Sequence, residues 1–249
     1  MTASTNTDGL WIRRLQPADP HAPTLVCLPH AGGAANFYFP MARALAPACE
    51  VLAIQYPGRQ DRFQEAPLES VDELVDLLFP LLQRNTEGPI GLFGHSMGGA
   101  LAFELARRFE EEGSVPTALF VSSRRSPSSY RAPDYIHLGT DDDLVARLRL
   151  LDGTDQRLLN QELLELTLPA LRADYKAIET YQYRPGPPLS CPVHALVGLD
   201  DPVVTEAEAR AWSEHTTGPF ALTGYSGGHF YLLDHQEAVR LTVSERLNG

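Results

Sequence analysis

The stretch IGLFGHSMGGALAFELA, residues 90–106, indicates the fold of this 249-residue chain. An apolar run typical of a strand ends at Gly94, and an amphipathic pattern typical of a helix begins at Gly98. The pentapeptide GHSMG between them, residues 94–98, fits the pattern G-x-S-x-G. Between a strand and a helix, this pattern exposes a serine hydroxyl at the carboxyl edge of a sheet, above a helix N-terminus. The sequence therefore predicts that Ser96 is a nucleophile.

Apolar runs alternate with helical patterns on both sides of this stretch. Several runs are continuous rather than alternating, which is typical of strands that are covered on both faces. The alternation predicts an α/β fold with a mainly parallel central sheet and helices on both faces. The predicted strands span residues 10–15, 24–29, 51–56, 90–94, 118–123, 193–198 and 220–225, and the predicted helices span 37–45, 71–83, 98–111, 205–215 and 235–247.

The interval between residues 126 and 190 interrupts this alternation and is too long for a simple crossover. Apolar spacings within it predict two or three amphipathic helices, the first with Thr140 as its N-cap. Their apolar positions are Leu144, Val145, Leu148, Leu151, Leu158, Leu159, Leu163, Leu164, Leu166, Leu168, Leu171, Tyr175, Ile178 and Tyr181. Because inserted segments near active sites commonly gate them, we predict a helical lid within a single domain of residues 1–249. A purely structural helical excursion is the alternative.

A serine nucleophile needs a base and an orienting acid, which in this fold follow it in the order acid, then histidine. His229 lies on a glycine-flanked loop after the last predicted strand and is the predicted base. Asp200 and Asp201 both follow the preceding strand. We favour Asp201 as the acid, because it stands three residues after the strand-end glycine and before a proline that restricts its backbone. Asp200 is then predicted to face outward or to cap local N–H groups.

Other histidines and a second loop complete the predicted site. His30 and His235 are alternative bases, whereas His95 lies inside the pentapeptide and is better placed to shape the turn. An acyl-transfer site also needs N–H donors for the developing oxyanion. We predict the backbone N–H groups of Met97, which follows the nucleophile, and of Ala31 in the loop PHAGG. That loop lacks the lysine and the glycine spacing of a phosphate-binding loop.

Composition excludes several classes of protein. The chain is 43% apolar and 21% charged, which is typical of a globular protein rather than a disordered or collagenous one. A net charge of −12 without a basic run argues against nucleic acid and anionic membrane surfaces as partners. Neither a membrane-spanning run nor a signal peptide is visible. Three cysteines without metal-site or disulfide spacing favour a reducing cytoplasm.

Six motifs together resemble the type II thioesterases that accompany modular polyketide synthases and nonribosomal peptide synthetases. The motifs are PHAGG (29–33), YPGRQDR (56–62), GHSMGG (94–99), LRADYKAIETY (171–181), GLDDP (198–202) and GGHFYLL (227–233). These proteins are stand-alone α/β-hydrolases, and their matching motifs run through nearly the whole chain.

The resemblance implies hydrolysis of acyl thioesters from the phosphopantetheine arm of acyl or peptidyl carrier proteins. It carries the catalytic roles to Ser96, His229 and the acid of GLDDP, and the oxyanion donors to Ala31 and Met97. No metal or organic cofactor is expected, and we expect a monomer. An esterase of the same fold, an integral chain-terminating thioesterase and an inactive carrier-binding module are the alternatives.

Two arginines of the motif YPGRQDR leave a further choice open. Arg59 and Arg62 could contact the phosphate of a phosphopantetheine arm or the carrier itself. They could equally form ion pairs that hold the loop after the third predicted strand. We favour the structural role.

Overall fold

The computed structural model describes residues 4–88, 90–132, 134–151 and 161–247. Its centre is a sheet with strand order β1-β3-β2-β4-β5-β6-β7, in which β1 is antiparallel to β3 and the other pairs are parallel. The strands are β1 (Ile12–Arg14), β2 (Thr24–Leu28), β3 (Glu50–Ile54), β4 (Ile90–His95), β5 (Ala118–Ser122), β6 (Val193–Gly198) and β7 (Phe220–Tyr225). The predicted mainly parallel sheet is thereby confirmed.

Helices cover both faces of this sheet. They are α1 (Ser4–Trp11), α2 (Phe39–Leu45), α3 (Val71–Asn85), α4 (Met97–Glu111), α5 (Asp141–Leu150), α6 (Gln161–Thr180), α7 (Glu206–Arg210) and α8 (Gln236–Leu247). Helices α3 and α4 pack in one apolar core, and α2 and α8 pack in a second core on the other face. Strands β2, β4, β5 and β6 are buried along their whole length, which explains their continuous apolar sequences.

The first predicted strand is wrong in its opening residues. Leu10 and Trp11 are the last residues of α1, and β1 begins only at Ile12. The partner strand explains the difference, because Ile12 pairs with Ile54, the residue at which β3 ends. Beyond this pair, the N–H of Gln55 donates to the carbonyl of Trp11 over 2.8 Å, but neither residue belongs to a strand. The apolar character of Trp11 reflects burial in the core instead.

Helices α5 and α6 lie between β5 and β6, within the interval predicted as a lid. Thr140 caps α5 as predicted, in a reciprocal capping box with Asp143. Leu144, Leu168, Leu171 and Tyr175 form a small apolar cluster that is separate from the two main cores. Leu158 and Leu159, together with the side chains of Leu163 and Leu164, lie outside the described residues. The gating role of this segment stays a prediction.

The three cysteines are free thiols with buried side chains. Burial raises the pKa of Cys27 well above its usual value, and it raises the pKa values of Cys49 and Cys191 to about 12. None of the helices in the described ranges is long and apolar enough to cross a membrane.

Candidate active site

Ser96 stands alone between β4 and α4, in a backbone conformation that L-residues rarely adopt. Its φ is 55° and its ψ is −115°. The Ser96 N–H donates to the carbonyl of Ser122 on β5 over 2.8 Å, which fixes the turn to the sheet edge. The Ser96 hydroxyl does not cap the helix that follows, so it is not engaged with the α4 backbone. Backbone strain of this kind is typical of functional positions.

The two glycines of the pentapeptide are required by close backbone contacts. A Cβ atom on Gly94 would lie 2.0 Å from the carbonyl oxygen of Gly98. A Cβ atom on Gly98 would lie 2.0 Å from the carbonyl oxygen of Leu28 on β2. Both distances are far below van der Waals contact. The sharp turn that exposes Ser96 therefore requires glycine at both of these positions.

His229 and Asp201 form a buried hydrogen-bonded pair. The Nδ1 atom of His229 lies 2.8 Å from Oδ2 of Asp201, with side chains that are 3% and 0% exposed. The other carboxylate oxygen of Asp201 accepts the N–H groups of Val203 and Val204 over 2.9 and 3.2 Å. The loop after β6 thus fixes the carboxylate, and the carboxylate orients the imidazole ring.

Asp200 points elsewhere, as expected for adjacent residues in a turn. Its carboxylate accepts the N–H of Gly227 over 3.4 Å, and its own N–H donates to the carbonyl of Gly227 over 2.9 Å. These contacts join the loop after β6 to the loop that carries His229. Asp200 thereby supports the position of the histidine loop without contacting the imidazole.

The loop after β2 reaches the same edge of the sheet. Ala31 lines the site beside Met97, the first residue of α4, whose N–H is one of the unpaired donors of a helix N-terminus. The next N–H group, of Gly32, donates to the Asp174 carboxylate on α6 over 2.7 Å. Gly32 has a φ of 75°, and a Cβ there would lie 2.8 Å from a methyl group of Leu171.

Arg59 links this loop to α6 through a buried ion pair. Its two terminal nitrogens donate to the two carboxylate oxygens of Asp174 over 2.7 and 2.9 Å, and one of them also donates to the Gly33 carbonyl over 3.1 Å. The two side chains are 5% and 2% exposed. Arg62 pairs with Glu65 and donates to the Gln55 carbonyl. The favoured structural role of both arginines is thereby confirmed.

His95, which is buried, and His30, which is half-buried, belong to a cluster of rings beside His229. The ring centroid of His95 lies 5.2 Å from that of His229 and 5.7 Å from that of His30. Burial lowers the pKa of His30 to about 3 and that of His95 well below its usual value. The His95 Nδ1 atom lies 2.9 Å from the Ser122 hydroxyl. Both rings are neutral near pH 7, and neither contacts a carboxylate.

His235, the remaining alternative, lies away from this cluster. Its Nε2 atom lies 3.1 Å from the Ser226 hydroxyl and 2.9 Å from the Ser226 carbonyl. Phe230, an aromatic wall of the site, was not predicted, although it directly follows the histidine in sequence. The centroid of Phe230 lies 5.1 Å from that of His95 and 4.7 Å from that of His30. From the sequence, Phe230 could be recognised only as the first residue of an apolar stretch.

A cavity of about 860 Å³ brings these groups together beneath α5 and α6. Ser96, His229, Ala31 and Met97 all line it. Its other walls come from the loop after β5, from the two helices between β5 and β6, and from the segments that follow α6 and β6. Representative residues are Arg124, Arg125, Tyr130, Leu148, Leu151, Tyr175, Ile178, Tyr183 and Val203. Across the described ranges, no group of three His, Cys, Asp or Glu side chains could hold a metal ion.

Comparisons with known proteins agree on one family. The family profile described as "Thioesterase domain" matches residues 23–247. The chain is 45% identical to the probable cadicidin biosynthesis thioesterase of Streptomyces griseus over 249 residues, covering 100% of this chain and 69% of that protein. It is 49% identical to thioesterase PikA5 of Streptomyces venezuelae over 243 residues, covering 96% of this chain and 86% of that one.

Solved structures give the same result. The type II thioesterase BorB from the borrelidin biosynthetic cluster superposes with a TM-score of 0.91 at 58% identity, covering 96% of this chain and 98% of that one. YbtT, a type II thioesterase from the yersiniabactin NRPS/PKS pathway, superposes with a TM-score of 0.85 at 29% identity, covering 96% and 98%.

Proposed function

The chain belongs to the thioesterase-domain family, and from that premise we propose that it hydrolyses acyl thioesters carried by phosphopantetheinyl carrier proteins. We propose Ser96 as the nucleophile, His229 as the base and Asp201 as the acid that orients it. The enzyme would act as an editing thioesterase of polyketide or nonribosomal peptide biosynthesis. Three relatives support the proposal: thioesterase PikA5, the type II thioesterase BorB of a biosynthetic cluster, and YbtT, a type II thioesterase of an NRPS/PKS pathway. A cytoplasmic location follows from the same proposal.

The proposed reaction begins with attack of the Ser96 oxygen on the thioester carbonyl carbon. His229 accepts the serine proton through Nε2, while its Nδ1–H stays hydrogen-bonded to Asp201. The tetrahedral intermediate collapses, the carbon–sulfur bond breaks, and the departing thiolate takes the proton from His229. Water, deprotonated by His229, then attacks the acyl-enzyme. The bond between the acyl carbon and the Ser96 oxygen breaks, His229 returns the proton to that oxygen, and the carboxylic acid leaves. Asp201 stabilises the imidazolium cation in both half-reactions.

The oxyanion of each tetrahedral intermediate needs donors that are already in place. We propose the N–H of Met97 at the start of α4 and the N–H of Ala31 on the loop after β2. The N-terminus of α4 also places the positive end of the helix dipole near the oxyanion, which stabilises its negative charge. The Asp174–Arg59 pair fixes the loop of Ala31, because Asp174 accepts the N–H of Gly32 and Arg59 donates to the carbonyl of Gly33. This arrangement supports a preorganised oxyanion site.

A carrier-bound thioester suits the shape and chemistry of the cavity. The thiol leaving group has a pKa near 8.5, so it departs more easily than an amine. Leu148, Leu151 and Ile178 offer apolar surface for an acyl chain. We propose that α5 and α6 form the lid over this chain. The acyl or peptidyl carrier protein would be the macromolecular partner, docking at the mouth of the cavity.

The observation that carries this proposal is the cavity that Ser96, held at positive φ, shares with His229, whose imidazole is hydrogen-bonded to Asp201. The test is a hydrolysis panel of acyl-carrier proteins with varied acyl chains, alongside simple esters, for the wild type and the Ser96→Ala variant. Turnover of the carrier thioesters that Ser96→Ala abolishes would support the proposal. Faster turnover of simple esters than of carrier thioesters would favour an esterase instead.

A further inference from the structure

Two consecutive arginines follow β5 at the sheet edge that carries Ser96. Strand β5 pairs with β4 so that Ser122 stands opposite His95, the residue before the nucleophile. Arg124 and Arg125 come two and three residues after Ser122 and line the same cavity as Ser96. They open the stretch RRSPSS, to which the proposed reaction gives no role.

The backbone at this position is fixed on several sides. The indole N–H of Trp212 donates to the Arg124 carbonyl over 2.7 Å. The N–H of Ser126 donates to the Glu208 carbonyl over 3.2 Å. Arg124 also packs against α4, because a Cβ atom on Gly99 would lie 2.9 Å from its own Cβ. The two side chains therefore extend from a fixed backbone beside the first turn of α4, which begins at Met97.

The charges of the cavity wall are unevenly compensated. Arg131 pairs with Glu208, and Arg147 pairs with Asp134. Within the described part of the chain, Arg124 and Arg125 have no ion-pair partner. Four arginines line the cavity, against the two carboxylates of Asp134 and Glu179, so arginines outnumber carboxylates in its wall although the net charge of the chain is −12. An excess of positive charge in the wall of a cleft attracts anions.

Both arginines are half-buried. Burial lowers the pKa of Arg124 to about 10, and it also lowers the pKa of Arg125. Arg124 still carries its charge at neutral pH. Carboxylates of Glu208 and Asp134 act on Arg125 from a distance, but neither is paired with it directly. A partly desolvated guanidinium group that is free of a direct ion pair forms strong, charge-assisted hydrogen bonds to an anion, and its planar fork matches phosphate.

We propose that Arg124 and Arg125 form a subsite for the phosphodiester group of the phosphopantetheine arm. This inference rests on the proposed function, in which every substrate carries that phosphate whatever its acyl chain. Arg59 and Arg62, which the sequence offered for the same task, are held in ion pairs and do not line the cavity. Arg124 and Arg125 would hold the arm while its thioester reaches Ser96.

The test compares one acyl group on two small carriers that differ only by the phosphate. Butyryl-pantetheine and butyryl-4′-phosphopantetheine are hydrolysed by the wild type, Arg124→Gln, Arg125→Gln and the double variant. We expect the wild type to prefer the phosphorylated substrate by roughly ten- to hundredfold in kcat/KM, the range of charge-assisted hydrogen bonds. The double variant should bring this ratio close to one.

A matched control removes an arginine outside the cavity. Arg210→Gln on α7 removes the same charge from an exposed ion pair with Glu206, and it should keep the wild-type ratio. Thermal unfolding of each variant shows whether it is folded. If Arg124→Gln does not fold, the proposal is still tested by the ratio of kcat/KM values for the two substrates in the wild type and in Arg125→Gln.

Three results would overturn the subsite. The wild type could hydrolyse both substrates equally, or the double variant could keep the preference. The preference lost on substitution could also be for succinyl-pantetheine over butyryl-pantetheine, which would assign the arginines to an acyl carboxylate. Calorimetric binding of 4′-phosphopantetheine and pantetheine to the Ser96→Ala protein tests the phosphate subsite separately from the proposed thioesterase function. Tighter binding of the phosphorylated compound without hydrolysis of any thioester by the wild type would contradict the function but not the phosphate contact.

Discussion

Replacing Asp174 by asparagine tests how much the site depends on the helix above it. The change keeps the size of the side chain but removes the charge that faces Arg59. The guanidinium group stays 5% exposed and loses its buried counter-charge. Breaking a buried ion pair from one side costs about 3–5 kcal/mol of unfolding free energy. For a domain of this size, that corresponds to a fall in Tm of roughly 6–20 °C.

The same substitution should slow hydrolysis in the protein that remains folded. Asp174 also accepts the N–H of Gly32, directly after the proposed oxyanion donor Ala31. Loss of a whole oxyanion donor costs about 10²–10³ in kcat, so a loop that is only loosened should lose roughly tenfold. We expect kcat to fall more than KM rises, because the oxyanion contact forms in the transition state.

Thermal unfolding followed by circular dichroism and steady-state hydrolysis of an acyl thioester are the two assays. Glu69→Gln is the matched control, since it removes the carboxylate of an exposed ion pair with Lys176 on the same helix. That pair should be worth less than about 1 kcal/mol. An Asp174→Asn protein within 1 kcal/mol of the wild type, with unchanged kcat, would refute the reasoning.

Three further predictions follow from the site. Ser96→Ala should fold normally and lose several orders of magnitude in turnover, and more than a tenth of wild-type activity would contradict its role as nucleophile. Asp201→Asn should lower kcat sharply through the wrong His229 tautomer, whereas Asp200→Asn should cost far less, and reversed effects in the hydrolysis assay would exchange their roles. His30 binds its proton only at about pH 3 in the folded state, against 6.5 unfolded, so acid should destabilise the wild type between these values. Chemical denaturation of His30→Phe across this range should show a weaker pH dependence, and an equal slope would count against the burial argument.

The sequence predicts those parts of the molecule that depend on local pattern. The strand, the turn at Ser96 and α4 are contiguous, so one stretch contains the whole geometric requirement. The order of Asp201 and His229 along the chain follows from the same fold. The carboxylate that contacts the histidine could be favoured from the position of its turn and the proline that follows.

Contacts between distant segments could not be predicted in the same way. Arg59 and Asp174 belong to two motifs that the sequence marks separately, and they are 115 positions apart. Nothing in either motif says that they meet, because their pairing depends on where α6 packs over the loop after β2. The start of β1 was misplaced for a similar reason, since its pairing with β3 begins only at Ile12.

Because its cysteines are buried, the folded protein should react slowly with thiol reagents. Thiol reagents attack the thiolate, and burial together with raised pKa values keeps Cys27, Cys49 and Cys191 protonated near pH 7. A cysteine in place of Tyr130, whose side chain is 83% exposed at the cavity wall, would therefore be the reactive thiol of the native state. A maleimide dye on that position would report the arrival of a carrier protein as a change in fluorescence, without removal of the natural cysteines.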